Sequence, residues 1–397
     1  MSRSNGRSVL LAAAVVAAAA VLVVPDPAGA IPAFARKYRM SCTTCHAPVP
    51  RLKPYGEDFA GSAFRLEDKE PKRFFPDTGD DLLTLQRELP VAVRFDGYAS
   101  YDHGEDEKRS DFRMPYGIKL LSGGNVSEHV GYYFYFYLSE RGEVAGVEDA
   151  YLHFNDLFGI DLDVMAGQFQ VCDPLFKREL RLTYEDYVAY KIRVGDSPVN
   201  LAYDRGFMVT FGSDFGLDAV FEAVNGNGIG AAENERFDDD HIRNFMLRLS
   251  QSAGPARIGA FGYYGDTEMK KSAGPVSDVV YYWGIDGTLD VGERLQLNGQ
   301  YLRRTDDNPY FQTSGAVECE TIGGIAELIF APQGDRSRHW FVLLYNYIDS
   351  QMPGLDYRSE TVSYSLLLRR NLRLLAETTF SETDESWRIT GGFVSAF

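Results

Sequence analysis

The chain has 397 residues and is acidic, with 57 Asp and Glu against 40 Lys and Arg and a formal net charge of −17. Such a chain repels nucleic-acid phosphates unless a local basic stripe compensates, and the sequence contains no such stripe, so we expect no nucleic-acid partner. The four cysteines are too few for a disulfide framework. Beyond Val24 no apolar run is long enough to cross a bilayer as a helix, which excludes a helical membrane protein.

The N-terminus has the pattern of an export signal. Arg3 and Arg7 precede an apolar stretch over residues 9–24, and the small residues 28–30 follow at the spacing that signal peptidase recognises. We predict a signal peptide over residues 1–30; an uncleaved anchor is the alternative. Export places the rest of the chain in an oxidising compartment.

The first motif of the mature chain is Cys-Thr-Thr-Cys-His, with Cys42, Cys45 and His46 as its functional positions. Two thiols on one helical turn can form thioethers with a single haem, and the adjacent imidazole can take an axial position on the iron. A redox C-x-x-C would need a βαβ context, and a zinc site would need a second Cys or His pair, which leaves coincidence as the remaining alternative. We predict one covalent haem c in a small segment over residues 31–89.

From Pro90 onward the sequence alternates apolar and polar residues at period 2, in segments long enough to cross a membrane as tilted strands. The sixteen predicted strands begin at Val91, Asp111, Glu128, Gly146, Ile160, Arg205, Gly216, His241, Ala256, Ser277, Arg294, Ala316, Arg338, Arg358, Leu372 and Ser386. Short turns alternate with longer polar loops, among them 225–240, 267–276 and 305–315. We therefore predict an all-β fold, a transmembrane antiparallel β-barrel of about 16 strands over residues 90–397, with the haem segment inside or plugging the lumen. A periplasmic cytochrome with a soluble β domain is the alternative.

One connection, over residues 170–204, is far longer than the others and rich in aromatic and aliphatic residues. We predict that it folds into the lumen and narrows it; a lid outside the barrel is the alternative. Strand parity places a set of charged side chains on the lumen wall: Arg113, Lys119, Arg248, Arg373 and Glu377.

Strand parity also selects candidates for the second axial ligand of the haem iron. His129 and His153 are predicted to face the lumen near the periplasmic ends of adjacent strands, whereas His339 has the lipid-facing parity. A Met, a water or an open position are the alternatives. Cys172 and Cys319 are predicted in the outer half, either bridged or as free buried thiols. Acidic loops at 105–107 and 238–240 either attract cations such as Fe(II) or are simply solvated.

The Ile31-to-Arg36 lead-in, the CTTCH motif, Pro50, Leu52 and Gly56, together with the barrel pattern, resemble the fused outer-membrane monohaem cytochrome-porins. The resemblance implies that Cys42 and Cys45 carry the thioethers and that His46 is the proximal iron ligand. It implies electron transfer across the outer membrane of a Gram-negative bacterium, from extracellular Fe(II) or another outer donor to a periplasmic cytochrome or other redox carrier. Members of the family are embedded in outer-membrane lipid, with the haem on the periplasmic side or in the lumen. The alternative function is a solute-conducting porin whose haem segment is a plug or redox sensor.

Overall fold

The computed structural model describes residues 33–66, 70, 72–104, 108–144, 146–232, 234–238, 240 and 243–397. The predicted signal peptide, the acidic stretch 105–107 and His241 lie outside these residues. The described N-terminal segment contains three helices, α1 Ala33–Tyr38, α2 Cys42–Cys45 and α3 Pro54–Gly61, and a 3₁₀ turn at Lys72–Phe74. Among the described residues, no helix has the length and apolar character needed to cross a membrane.

Sixteen strands form one closed antiparallel barrel, in which each strand pairs with its neighbours in sequence and β16 pairs with β1. Their bounds are β1 Val91–His103, β2 Lys108–Asn125, β3 Val130–Glu140, β4 Gly146–Phe154, β5 Leu162–Gln170, β6 Tyr203–Gly212, β7 Leu217–Val224, β8 Asn244–Ala253, β9 Ala256–Lys271, β10 Gly274–Val291, β11 Leu295–Asp306, β12 Cys319–Phe330, β13 His339–Ser350, β14 Tyr357–Arg369, β15 Leu372–Ser381 and β16 Ser386–Ala396. The predicted fold class and strand number are confirmed, and every strand begins within three residues of its predicted start. Closure removes the exposed strand edges that an open sheet of this size would leave.

The two ends of the barrel differ. One end, here called the turn end, carries the short connections such as Arg370-Asn371 together with the start of β1 and the end of β16. The opposite loop end carries most of the long connections. Residues 267–276, predicted as an outer loop, are instead mostly strand, because β9 and β10 continue to Lys271 and Gly274 and meet in a tight hairpin.

The strands present two chemically different faces, as the period-2 pattern requires. In β8 the outward-facing Phe245, Leu247 and Leu249 are exposed, whereas Met246 and Arg248 point inward and are buried. The exposed outer surface is thus apolar along the strand, which is the pattern of a lipid-facing barrel wall.

The connection between β5 and β6, residues 171–202, lies inside the barrel. The Glu377 carboxylate on β15 accepts the backbone N–H groups of Tyr184 and Glu185, both at 2.8 Å. Three strands away, the Tyr187 hydroxyl donates to Glu327 of β12 at 2.9 Å. Apolar residues of the loop pack against inward-facing apolar residues of the wall, and this cluster includes Val171, Leu175, Tyr190, Val194, Leu201, Met208, Val220, Met246, Val280, Leu302, Leu344 and Ile348. The loop therefore fills one side of the lumen with dry packing and leaves a polar cavity on the other side.

Residues 33–66 cross the turn end. At one side Arg36 donates to the carbonyl of Val91 at 2.7 Å, and Phe64 stacks on Tyr133 of β3 with ring centroids 5.0 Å apart. At the other side Arg51 donates to Gln296 of β11. Because β3 and β11 are eight strands apart in a sixteen-stranded barrel, this segment spans the mouth from one wall to the opposite wall.

Candidate functional site

The CTTCH motif folds into a single tight turn. The Ser41 side chain caps α2 by accepting the N–H of Thr43 at 3.3 Å, and the N–H of His46 donates to the carbonyl of Cys42 at 2.8 Å. The chain then reverses, and the N–H of Lys53 donates to the carbonyl of Cys45 at 2.8 Å. These hydrogen bonds place both thiols and the imidazole on one turn of backbone, which is the arrangement that covalent haem attachment needs.

Gly56 lets α3 pack directly against this turn. A Cβ at position 56 would lie 2.4 Å from the carbonyl oxygen of Cys45 and 3.0 Å from the side chain of Leu52. Real Cβ contacts essentially never fall below 3.0 Å, so only glycine fits without moving the backbone. The glycine noted in the sequence thus has a local steric reason.

The imidazole of His46 is held through one nitrogen. Nδ1 lies 3.0 Å from the carbonyl oxygen of Pro50 and 3.2 Å from that of Arg51. Carbonyl oxygens only accept, so Nδ1 carries the proton and Nε2 keeps its lone pair. Burial lowers the pKa of His46 although both carbonyls oppose the shift, which favours the neutral ring. A backbone acceptor on one ring nitrogen is the usual support of a metal-binding histidine.

The residues around the motif fit a covalently attached haem. Cys42 and Cys45 are free and partly exposed, and burial raises the pKa of both thiols. Cys42 and His46 border a small cleft that also includes Trp340 and Arg370 of the turn end, whereas Cys45 lies outside its lining. Two free thiols and an imidazole that is held through Nδ1 are the donor set that a haem c requires.

The segment is fixed to the barrel by buried polar contacts. Lys37 is fully buried, and its ammonium lies 3.0 Å from a carboxylate oxygen of Glu70 and 3.1 Å from the amide oxygen of Asn125 on β2. Lys53 forms a more exposed pair with Asp335 at 2.6 Å. Of these contacts only the one with Asn125 joins Lys37 to the barrel, and removing it would leave a buried amide oxygen without a partner, which costs more than breaking a surface pair.

The two predicted distal ligands occupy different positions. His153 lies on β4, buried, and its Nε2 is 3.1 Å from Asp163, while its Nδ1 has no partner among the described residues. His129 lies in the exposed turn between β2 and β3 and not in the strand from which its lumen-facing parity was predicted, because β3 begins two residues later than expected. The described contacts place His46 beside β12–β15 and His153 on β4, and none joins the two imidazoles.

Three other predicted positions can be placed. His339 faces outward and donates to or accepts from the Tyr364 hydroxyl at 2.8 Å. Cys172 and Cys319 are both free, buried thiols in the dry cluster. A cluster that the sequence analysis did not predict lies at the turn between β4 and β5, where Asp156, Asp161 and Asp163 have carboxylate oxygens within 4.8 Å of one another.

The second candidate site is the polar cavity between the inward loop and the wall formed by β1–β4, β6 and β15. It has a volume of about 380 Å³, and its described lining includes the predicted lumen residues Lys119 and Arg373. Lys119 pairs with Glu179 of the loop at 2.7 Å. Of the other predicted lumen residues, Arg113 donates to Tyr184 of the loop, and Arg248 pairs with Asp286 in the dry half. Because the inward loop occupies part of the lumen here, this cavity is called the constriction below.

A cluster of three tyrosines at this constriction was not predicted from the sequence. The rings of Tyr98, Tyr116 and Tyr184 lie in mutual contact, with centroids 4.9–5.3 Å apart, and all three line the cavity. The inward parity of Tyr98 on β1 and Tyr116 on β2 could have been inferred from the alternation. Tyr184 could not, because a loop has no such parity.

Comparison with known proteins identifies the fold. No family model and no curated protein match the chain. Among solved structures, an anion-selective porin from Comamonas acidovorans matches with a TM-score of 0.58 and 11% identity, covering 78% of this chain and 99% of that one. OmpF of Salmonella typhi, in complex with daunomycin, matches with a TM-score of 0.55 and 10% identity, covering 80% of this chain and 98% of the other. OmpT of Vibrio cholerae matches with a TM-score of 0.53 and 10% identity over 81% and 100% of the two chains. The chain has a porin-like barrel fold.

Proposed function

We propose that the chain is a channel of the bacterial outer membrane through which small polar solutes diffuse. The observation that carries this proposal is the division of the lumen: the inward loop fills one side with apolar packing, while a polar cavity of about 380 Å³ persists on the other. A barrel that served only as a membrane anchor would have no need to keep a charged cavity inside. The turn end, where residues 33–66 lie, is the periplasmic end in this proposal, since short turns face the periplasm in such barrels.

Single-channel recording in planar bilayers tests the channel. We expect discrete conductance steps from the purified protein. Glu377→Ala removes the acceptor of two loop N–H groups, so the loop should loosen and the conductance should change and become noisier. Glu382→Ala is the matched control, because Glu382 is exposed in the turn between β15 and β16. A barrel that is folded, as judged by heat-modifiable gel mobility, but gives no conductance steps would refute the proposal.

We propose as a second function that one haem c is attached to Cys42 and Cys45 and that His46 coordinates its iron. The specific observation in favour is the fixed Nδ1 of His46, which leaves Nε2 available. When bound, the haem would supply one-electron Fe(II)/Fe(III) chemistry. The chain's own contribution would be to hold His46 neutral and oriented and to seat the segment at the barrel mouth through Lys37 and Arg36. Electrons would pass between an extracellular donor, with Fe(II) as the first to test, and a periplasmic redox carrier.

The haem is tested by absorption and by haem staining of denatured protein. Cys42→Ala with Cys45→Ala should abolish covalent haem and leave an assembled barrel. Cys172→Ala with Cys319→Ala is the matched control, since these thiols are buried in the dry cluster. Electron transfer is tested in intact cells with Fe(II) held in a complex that cannot cross the outer membrane. Prompt haem reduction that depends on this protein is expected; if dithionite reduces the haem and the Fe(II) complex does not, extracellular iron is not the donor.

A further inference from the structure

The cavity at the constriction is basic although the chain is acidic. Its described lining contains eight Arg or Lys side chains and five Asp or Glu side chains, whereas the whole chain has 40 basic and 57 acidic residues. Charged groups that line a narrow pore act on a solute at close range, so this local balance counts for more than the net charge of the protein.

Most cations of the cavity are already neutralised. Arg94 pairs with Asp96 at 3.0 Å, and Arg178 pairs with Asp186 at 3.0 Å. Lys119 pairs with Glu179 of the inward loop at 2.7 Å. Pairs of this kind present little net charge to a passing solute. Two cations of the lining, Arg193 and Arg373, form no ion pair with a carboxylate among the described residues.

Arg193 is exposed, and Arg373 is the one of the two that is buried. It lies on β15 with 3% of its surface exposed. Its Nη1 donates to the carbonyl of Leu182 at 2.7 Å and to the Ser365 hydroxyl at 3.1 Å, but its Nε has no partner, and no carboxylate oxygen among the described residues lies within 4 Å of its guanidinium. Glu377, four residues along the same inward face, is occupied by two backbone N–H groups of the loop. A buried guanidinium without a carboxylate is costly unless an anion completes its coordination.

We propose that the constriction contains a binding site for a small oxyanion, a carboxylate or a phosphate, with Arg373 as its principal donor. The proposal rests on the proposed channel function and names its solute class. Tyr98 and Tyr184 border the site and restrict its size. The volume of about 380 Å³ is at the lower end of the range of small-molecule sites, about 300–1,000 Å³. A guanidinium presents parallel N–H donors that match an oxyanion, which is why Arg is the preferred residue for such recognition.

Two measurements test the site. In bilayers bathed by a KCl gradient we expect the reversal potential to report a preference for chloride, and millimolar phosphate to reduce the chloride current. Arg373→Gln should lower the chloride-to-potassium permeability ratio by about tenfold, because one unit charge at about 6 Å in a water-like dielectric favours chloride and disfavours potassium by about threefold each. Arg373→Lys keeps the positive charge but not the parallel N–H donors of the guanidinium. It should therefore retain the chloride-to-potassium permeability ratio and lose most of the block of the chloride current by phosphate. Arg257→Gln, which removes the same charge from β9 outside the cavity, is the control.

Equilibrium dialysis of the purified full-length protein against labelled phosphate separates this proposal from the channel itself. Phosphate retained by the wild type and lost in Arg373→Gln supports the site even if the protein does not conduct, in which case only the channel is refuted. Conductance with a preference for potassium, or a chloride preference and phosphate block that Arg373→Gln leaves unchanged, would overturn the anion site and leave the channel standing. Equal losses in Arg257→Gln would also overturn it, because the effect would then be general charge rather than a local site.

Discussion

The contact between Gly56 and the carbonyl of Cys45 allows a quantitative test of the CTTCH turn. In Gly56→Ala the new Cβ would start 2.4 Å from that oxygen, and the oxygen also accepts the N–H of Lys53. Because the obstacle is backbone, relief requires α3 to move away from the turn. Forcing extra methyl volume into a packed contact costs about 1–3 kcal/mol.

Gly61→Ala is the matched control for this experiment. Gly61 belongs to the same helix, but a Cβ there would meet nothing within 4 Å. Both variants receive the helix-propensity gain of Ala over Gly, about 1 kcal/mol in a helix interior and less at helix ends. The difference between them therefore isolates the clash, and 1–3 kcal/mol corresponds to about 5- to 150-fold in a local opening equilibrium.

Hydrogen exchange of the full-length protein in detergent measures that opening. The amides of His46 and Lys53 donate to the carbonyls of Cys42 and Cys45, so their protection reports the integrity of the turn. We expect their protection to fall in Gly56→Ala and to be maintained in Gly61→Ala, with the barrel strands unchanged in both. Equal protection in the two variants would show that α3 does not pack on the turn as described.

Other expected outcomes concern the same segment. Lys37→Met removes the hydrogen bond to Asn125, so it should loosen the docking of the segment by about 1–3 kcal/mol, the cost of leaving a buried polar group unpaired, and speed cleavage of residues 33–66 by added protease. Lys53→Met, whose pair is exposed, should cost less than about 1 kcal/mol. In protein made without haem, burial raises the pKa of Cys42 and Cys45, so their alkylation rate should still be rising with pH above about 8.5, where an unfolded thiol is already half ionised. An alkylation profile identical to that of the denatured chain would contradict this. His153→Ala should leave the haem spectrum unchanged, because the Nε2 of His153 lies within hydrogen-bond distance of Asp163. A shift in the low-spin absorption bands would instead indicate that His153 is an iron ligand.

The sequence was sufficient to predict the barrel because its wall is governed by a local rule. A strand that separates two environments alternates in polarity, and one misplaced residue would invert both faces, so the strand positions are strongly specified. The rule failed where strands extend past the expected boundary. Residues 267–276 lack a continuous alternation of apolar and polar residues, as a loop would, yet most of them pair as β9 and β10. Polarity there indicates solvent on both sides and does not distinguish a loop from a tall hairpin.

The arrangement of the N-terminal segment could not be predicted in the same way. The motif itself indicated which atoms would act, and the structure adds that the carbonyls of Pro50 and Arg51 hold the ring of His46. The contacts that seat the segment, such as Lys37 with Asn125 and Arg51 with Gln296, join residues 88 and 245 positions apart. No local pattern relates such pairs, so their positions emerge only from the closed barrel.

The interior of the barrel is where the period-2 pattern carries least information. Met208, Val220 and Met246 have the same inward parity as Arg373, and yet they are buried in dry packing while Arg373 borders the polar cavity. The difference is made by the inward loop, which covers one wall with apolar side chains and meets the other with charged ones such as Glu179. Inward-facing apolar residues on β6–β8 therefore indicate that a segment of the chain, here the inward loop, packs inside the lumen. Inward-facing charged residues on β1, β2 and β15 line the side that the loop leaves open, and a solute path should be sought on that side.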